Sequence, residues 1–209
     1  MQRRHALVSL ACLATCTAAA SAAHLLAACS PQSGGFHGIN LSGSDYAKDF
    51  ALTDHHGQLR RLADFRGKVV VVFFGFVQCP DVCPTSLLTL AQAKQQLGAD
   101  GSRLQGIFIT LDPERDTPEV LKAYMDSFDP SFLALYTRSP EELAALAKDF
   151  KVYYQRIEGP TPTSYTLEHT AASYVYDTQG RLRLYESHGI TPEALASDVR
   201  RLLQEAPSA

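Results

Sequence analysis

Phe73-Phe74-Gly75-Phe76-Val77-Gln78-Cys79-Pro80-Asp81-Val82-Cys83-Pro84 is the stretch on which the reading of this chain turns. Val69 to Phe74 is an unbroken β-branched and aromatic run, which marks a strand buried on both faces. Leu87, Leu90, Ala91, Ala93 and Leu97 then recur with helical spacing. Pro84 suits the first turn of that helix, where its missing N–H would have no partner anyway. A buried strand therefore leads into a helix, and two cysteines stand at the junction. Their i,i+4 spacing in a tight helix-entry loop can bring both sulfurs to one face. A helix N-terminus favours thiolate, which is both nucleophile and metal ligand. The local sequence suits redox or metal chemistry and does not separate the two.

Working outward, Leu104–Leu111 reads as a second buried strand and Phe132–Tyr136 as a short one. Thr117-Pro118 opens a helix to about Phe128, Ser139-Pro140-Glu141-Glu142 opens one to about Phe150, and Thr191-Pro192 opens the last. Lys151–Ile157 reads as extended and Gly159–Thr166, rich in Pro and Thr, as an exposed loop. Ala172–Tyr176 and Leu182–Glu186 flank Asp177-Thr178-Gln179-Gly180, a hairpin signal. Near the start, Asp54-His55-His56-Gly57 is a turn between two short extended segments, and its histidines read as solvated. The order predicts an α/β fold of thioredoxin-like type over residues 46–205: a central mixed sheet flanked by helices, with an N-terminal extension.

That extension reads as a targeting segment. Arg3 and Arg4 precede the Ala-rich stretch Ala6–Ala23, and Leu26-Ala27-Ala28-Cys29 resembles a bacterial lipobox. Residues 1–28 are then a signal peptide, Cys29 is lipidated, and residues 29–45, rich in Gly and Ser, form a flexible tether. An uncleaved anchor helix is the alternative, although His24 interrupts the run. The expected location is a bacterial cell envelope, as a membrane-anchored lipoprotein with the domain facing the periplasm. There a disulfide can persist. Loss of residues 1–28 removes two Arg and no acid, which leaves 17 Lys+Arg against 22 Asp+Glu, about −5. That balance excludes nucleic acid as a partner. Of the five cysteines, Cys12 and Cys16 would be lost with the signal, so Cys79 and Cys83 are the working pair.

Two thiolates rarely complete a metal site, and His is the natural third donor. His37 falls in the tether, His55 and His56 in the turn, and His188 just before the last helix. His169 ends the Pro/Thr loop immediately before the hairpin strand, which a thioredoxin-like sheet places beside the cysteine helix. A hydrogen-bonded structural histidine is the competing reading of His169, and position alone leaves both open. Two sulfurs with one imidazole form a soft, low-coordination set that suits copper, as Cu(I) or Cu(II), better than structural zinc.

Gly75-Phe76-Val77-Gln78-Cys79-Pro80-Asp81-Val82-Cys83-Pro84-Thr85 resembles the signature of the Sco/SenC family of copper-binding cytochrome c oxidase assembly proteins. So do Ile107–Pro118, with its Asp112-Pro113-Glu114-Arg115-Asp116-Thr117-Pro118, and Leu167-Glu168-His169-Thr170. The resemblance implies copper held by Cys79, Cys83 and His169, membrane attachment, and a metallochaperone role in building the oxidase's binuclear copper centre. A copper-accepting oxidase subunit is then the partner, with a copper donor chaperone or a thioredoxin-like reductant upstream. Asp112, at the end of a buried strand, either orients a ligand or caps its loop with Arg115. Asp81, between the cysteines, faces solvent and can help dock the partner. Competing functions are a thiol-disulfide oxidoreductase using Cys79 and Cys83, a copper or redox sensor, and, weakest, a thiol peroxidase.

Overall fold

The computed structural model describes residues 35–161 and 164–205. The expected signal peptide and Cys29 lie outside them. In chain order the strands are β1 (Ile39–Asn40), β2 (Ala51–Asp54), β3 (Leu59–Arg61), β4 (Val69–Gly75), β5 (Leu104–Thr110), β6 (Leu133–Tyr136), β7 (Tyr154–Glu158), β8 (Tyr165–His169), β9 (Ala172–Tyr176) and β10 (Leu182–Ser187). The α-helices are α1 (Val82–Gln96), α2 (Pro118–Asp126), α3 (Pro140–Asp149) and α4 (Pro192–Gln204).

Eight strands form one mixed sheet in the order β1-β10-β9-β4-β5-β6-β2-β3. The β4–β5 and β5–β6 pairs are parallel, and β4 runs antiparallel to β9. Every residue of β4 and β5 is buried, as the continuous apolar runs require. Successive side chains of a strand point to opposite faces, so β4 feeds two cores. Val71 and Phe73 pack with Leu87 and Leu90 of α1, Leu121 of α2 and Leu195 and Val199 of α4. Val70, Val72 and Phe74 pack with Leu143 of α3, Phe150 and Tyr174. Helices thus cover both faces, as expected of the thioredoxin-like class.

The caps read in the sequence form. Thr117, Ser139 and Thr191 each accept a hydrogen bond from the backbone N–H three residues on, with Pro at the start of each helix. Helix α1 begins at Val82, ahead of its periodic stretch, so Cys83 and Pro84 lie in its first turn.

Three local expectations differ from the structure. Residues 159–166 are not one exposed loop: Tyr165 begins β8, which pairs antiparallel with β7 in a separate two-stranded ribbon, Glu158 opposite Tyr165 and Tyr154 opposite His169. His55 is buried, because its turn tucks against β6, where ring Nδ1 accepts from Ala134 N–H at 3.0 Å; His56 stays exposed. The expected tether engages the domain from Phe36 onward. The backbone N–H groups of His37 and Gly38 donate to the Asp198 carboxylate, and β1 pairs with β10.

Candidate metal centre

The centre lies where β4 ends and α1 begins. After Gly75 the chain turns sharply, with Cys79 N–H donating to Phe76 C=O at 3.2 Å and Val77 N–H donating to the Asp116 carboxylate at 3.1 Å. Cys79 is half-buried on this turn, while Cys83 is fully buried in the first turn of α1. The Cys83 N–H lies 3.5 Å from Cys79 Sγ. Gly75 is required beneath the pair: a Cβ there would stand 2.7 Å from Cys83 Sγ and 2.8 Å from the Phe108 ring.

His169 closes the group from the ribbon. Its Nε2 is 3.8 Å from Cys83 Sγ, and its Nδ1 is 3.0 Å from the carbonyl oxygen of Thr170. A carbonyl only accepts, so Nδ1 carries the proton and Nε2 turns its lone pair toward the sulfurs. Phe73 and Phe76 meet the imidazole edge-on, with centroids 6.3 and 5.9 Å away, and fix its plane. The two Sγ atoms and one imidazole nitrogen all lie within 4.8 Å of one another. Among the described residues this is the one such group of three or more His, Cys, Asp or Glu side chains.

The electrostatics differ from the sequence reading. A helix N-terminus favours thiolate, but burial outweighs it at Cys83 and pushes that thiol well above its ordinary range. The backbone N–H of Phe76 acts in the opposite direction and is the smaller effect. Burial also lowers the His169 pKa, which favours the neutral, ligating imidazole, while the Thr170 contact opposes it. Burial therefore favours the thiol at Cys83 and the neutral imidazole at His169, and a soft cation bound by Cys83 displaces that sulfur's proton.

Asp112 touches none of the three donors. It is buried, and its oxygens are taken by the Tyr165 hydroxyl at 2.7 Å and by Arg115 Nε. Its pairing with Arg115 is present, and among the described residues there is no direct bond from Asp112 to Cys79, Cys83 or His169. Asp116, Arg115 and Tyr165 escaped the sequence reading as site residues. Asp116 holds the cysteine turn through Val77 and also accepts from Thr110 Oγ1 at 2.6 Å. The one available signal was the density of charge in Asp112–Asp116. His37 and His56 stand apart from the centre, and exposed His188 has Nδ1 3.4 Å from Ser86 Oγ. Asp81 is exposed, as expected.

The SCO1/SenC family pattern matches residues 40–204. This chain belongs to the SCO1/SenC family. The mitochondrial SCO2 homolog of Bos taurus is 39% identical over 155 residues, 73% of this chain. The match covers 58% of that relative, so the chain spans under two thirds of its length. Among solved structures, apo Sco1 from Thermus thermophilus is 40% identical with a TM-score of 0.72, over 82% of this chain and 99% of that one. Copper-bound ScoI from Bradyrhizobium japonicum is 38% identical with a TM-score of 0.67, over 74% and 97%. These SCO1/SenC relatives overturn one expectation. The Bos taurus and Homo sapiens proteins are mitochondrial by name, which points away from a bacterial periplasmic lipoprotein. The lipobox-like run is a short pattern of small residues, and such runs also occur in other targeting segments.

Proposed function

We propose that this chain is a copper metallochaperone for assembly of the binuclear copper centre of cytochrome c oxidase, with Cys79, Cys83 and His169 as the copper ligands. One observation carries the reading: two sulfurs and a lone-pair-bearing Nε2 converge within 4.8 Å, with Cys79 half-buried at the mouth and Cys83 buried behind it. The donor set fits copper, since thiolates hold Cu(I) and an added imidazole supports Cu(II). The copper-bound Bradyrhizobium japonicum relative supports the same choice of cargo.

Copper is cargo here, so the site must release as well as bind. Cys79 faces solvent and can be exchanged for an incoming thiolate of the oxidase subunit. His169 sits on a ribbon separate from the main sheet, so it can leave the metal without breaking a strand pairing of that sheet. An upstream copper donor loads the site, and a thioredoxin-like reductant keeps the cysteines reduced. The apolar N-terminal segment attaches the domain to the membrane that carries the oxidase.

A second reading is thiol-disulfide exchange with the ligand cysteines of the oxidase subunit. The closeness of the two sulfurs favours it, and the raised pKa of buried Cys83 opposes fast exchange. The test mixes the reduced, copper-loaded protein with the copper-free copper domain of the oxidase subunit. Copper appearing in the acceptor is the expected outcome. Rapid reduction of an oxidised acceptor by the copper-free protein, without copper transfer, would establish exchange instead. Tight copper binding with neither transfer nor reduction would leave a sensor.

A further inference from the structure

Among the described residues, the ribbon that carries His169 shares no strand pairing with the eight-stranded sheet. Every residue of its two strands is exposed or half-buried. A two-stranded ribbon alone is marginally stable in water, so contacts with the body must set its position. At its base the two strands are closed on each other, where Thr170 N–H donates to Tyr153 C=O at 2.9 Å and Tyr153 N–H donates to Thr170 Oγ1 at 3.1 Å, and Leu167 and Tyr154 pack against the core of the body. At its other end stands one guanidinium. Arg115 Nη1 donates to Tyr165 C=O at 2.9 Å and to Gln78 Oε1 at 3.0 Å, and Nε donates to Asp112. Its carbon lies 3.5 Å over the Tyr165 ring, and that tyrosine's hydroxyl returns to Asp112. Arg156 lies 3.6 Å from the same ring centroid, so the two guanidinium groups must occupy opposite faces.

We propose that Arg115 is a positioning residue for the metal site: it clasps the β7–β8 ribbon to the residue preceding Cys79 and so holds His169 in reach of both sulfurs. The proposal rests on the copper reading above for its consequence, and on the clasp geometry for its substance. Arg115 joins three segments: the cysteine turn through Gln78, the loop after β5 through Asp112, and β8 through Tyr165. Its Nη2 is buried without a hydrogen-bond partner, a desolvation cost that the contacts to three segments offset. A lysine cannot reproduce this, because one ammonium cannot stack flat on Tyr165 while bonding along three directions.

The test compares wild type, Arg115→Met and Arg115→Lys, with Tyr165→Leu as an independent break of the same clasp. Hydrogen exchange on the copper-free proteins is the first readout, since it does not depend on metal. Ribbon amides in both clasp-breaking variants should exchange about tenfold faster, while those of β4 and β5 change less than about twofold. Cu(II) magnetic resonance is the second: imidazole nitrogen coupling should weaken in Arg115→Met and recover only partly in Arg115→Lys, with Cu(I) stoichiometry kept. Unchanged ribbon exchange in both variants, or equal acceleration throughout the sheet, would overturn the clasp. Faster ribbon exchange with a wild type that binds no copper would uphold the clasp and remove the copper reading instead.

Discussion

Gly75 shows how tightly single residues constrain the centre. A methyl group at this position would collide with Cys83 Sγ and with the Phe108 ring, both fully buried in a close-packed core. Gly75→Ala should cost about 1–3 kcal/mol by urea denaturation. It should also weaken copper binding, because relief of the clash moves the sulfur. The cysteines were legible from the sequence, since two thiols at a strand-to-helix junction form a local pattern. His169 was legible only through topology and the family motif, because it lies 86 residues from Cys83. Arg115 and Tyr165 were not legible as site residues. Their contacts with Gln78 and Asp112 span 37 and 53 residues, and local spacing cannot report them.

At the scale of elements, the three helices with Ser/Thr-Pro starts were the most readable, because capping is a local hydrogen bond. Thr191 accepts from Ala194 N–H at 3.2 Å, so Thr191→Ala should destabilise the protein by about 1 kcal/mol in urea. Helix α1 lacks a side-chain cap at Asp81. Its start therefore carries no such signal, and the apolar periodicity that betrays it begins only at Leu87. The β7–β8 ribbon was misread for a related reason. Its strands are short and half-exposed, with a Pro/Thr connection between them, so neither hydrophobic alternation nor a tight-turn signature marks the pairing. The missed strand is the one that delivers His169. A site divided between a helix start and a ribbon outside the main sheet fits the proposed role of handing copper on.

Across the whole molecule, the central mixed sheet built on buried β4 and β5 was legible, but the docking of residues 36–40 was not. It depends on Asp198 of α4, which accepts from His37 and Gly38, and on Glu186 of β10 beside it. Burial, and then the Asp198 charge, push the Glu186 carboxyl up to about 8 from an ordinary 4.5. In that window the folded state holds a proton that the unfolded chain has lost. This stabilising contribution is full below about pH 4.5 and is lost as pH rises through about 8, up to a few kcal/mol. Glu186→Gln should flatten that decline in urea midpoints compared between about pH 5 and pH 8. A decline as steep as in wild type would assign it to other groups.

The central claim is that two thiolates and one imidazole hold one copper. Its most direct test is copper content with Cu(II) absorption and magnetic resonance on the reduced protein, wild type beside His169→Ala. Wild type should hold about one copper per chain, with intense thiolate-to-Cu(II) absorption and coupling to imidazole nitrogen. His169→Ala should lose the Cu(II) form while Cys79 and Cys83 remain able to oxidise to a disulfide. A variant that binds Cu(II) with the same stoichiometry and the same spectrum as wild type would contradict the three-ligand site.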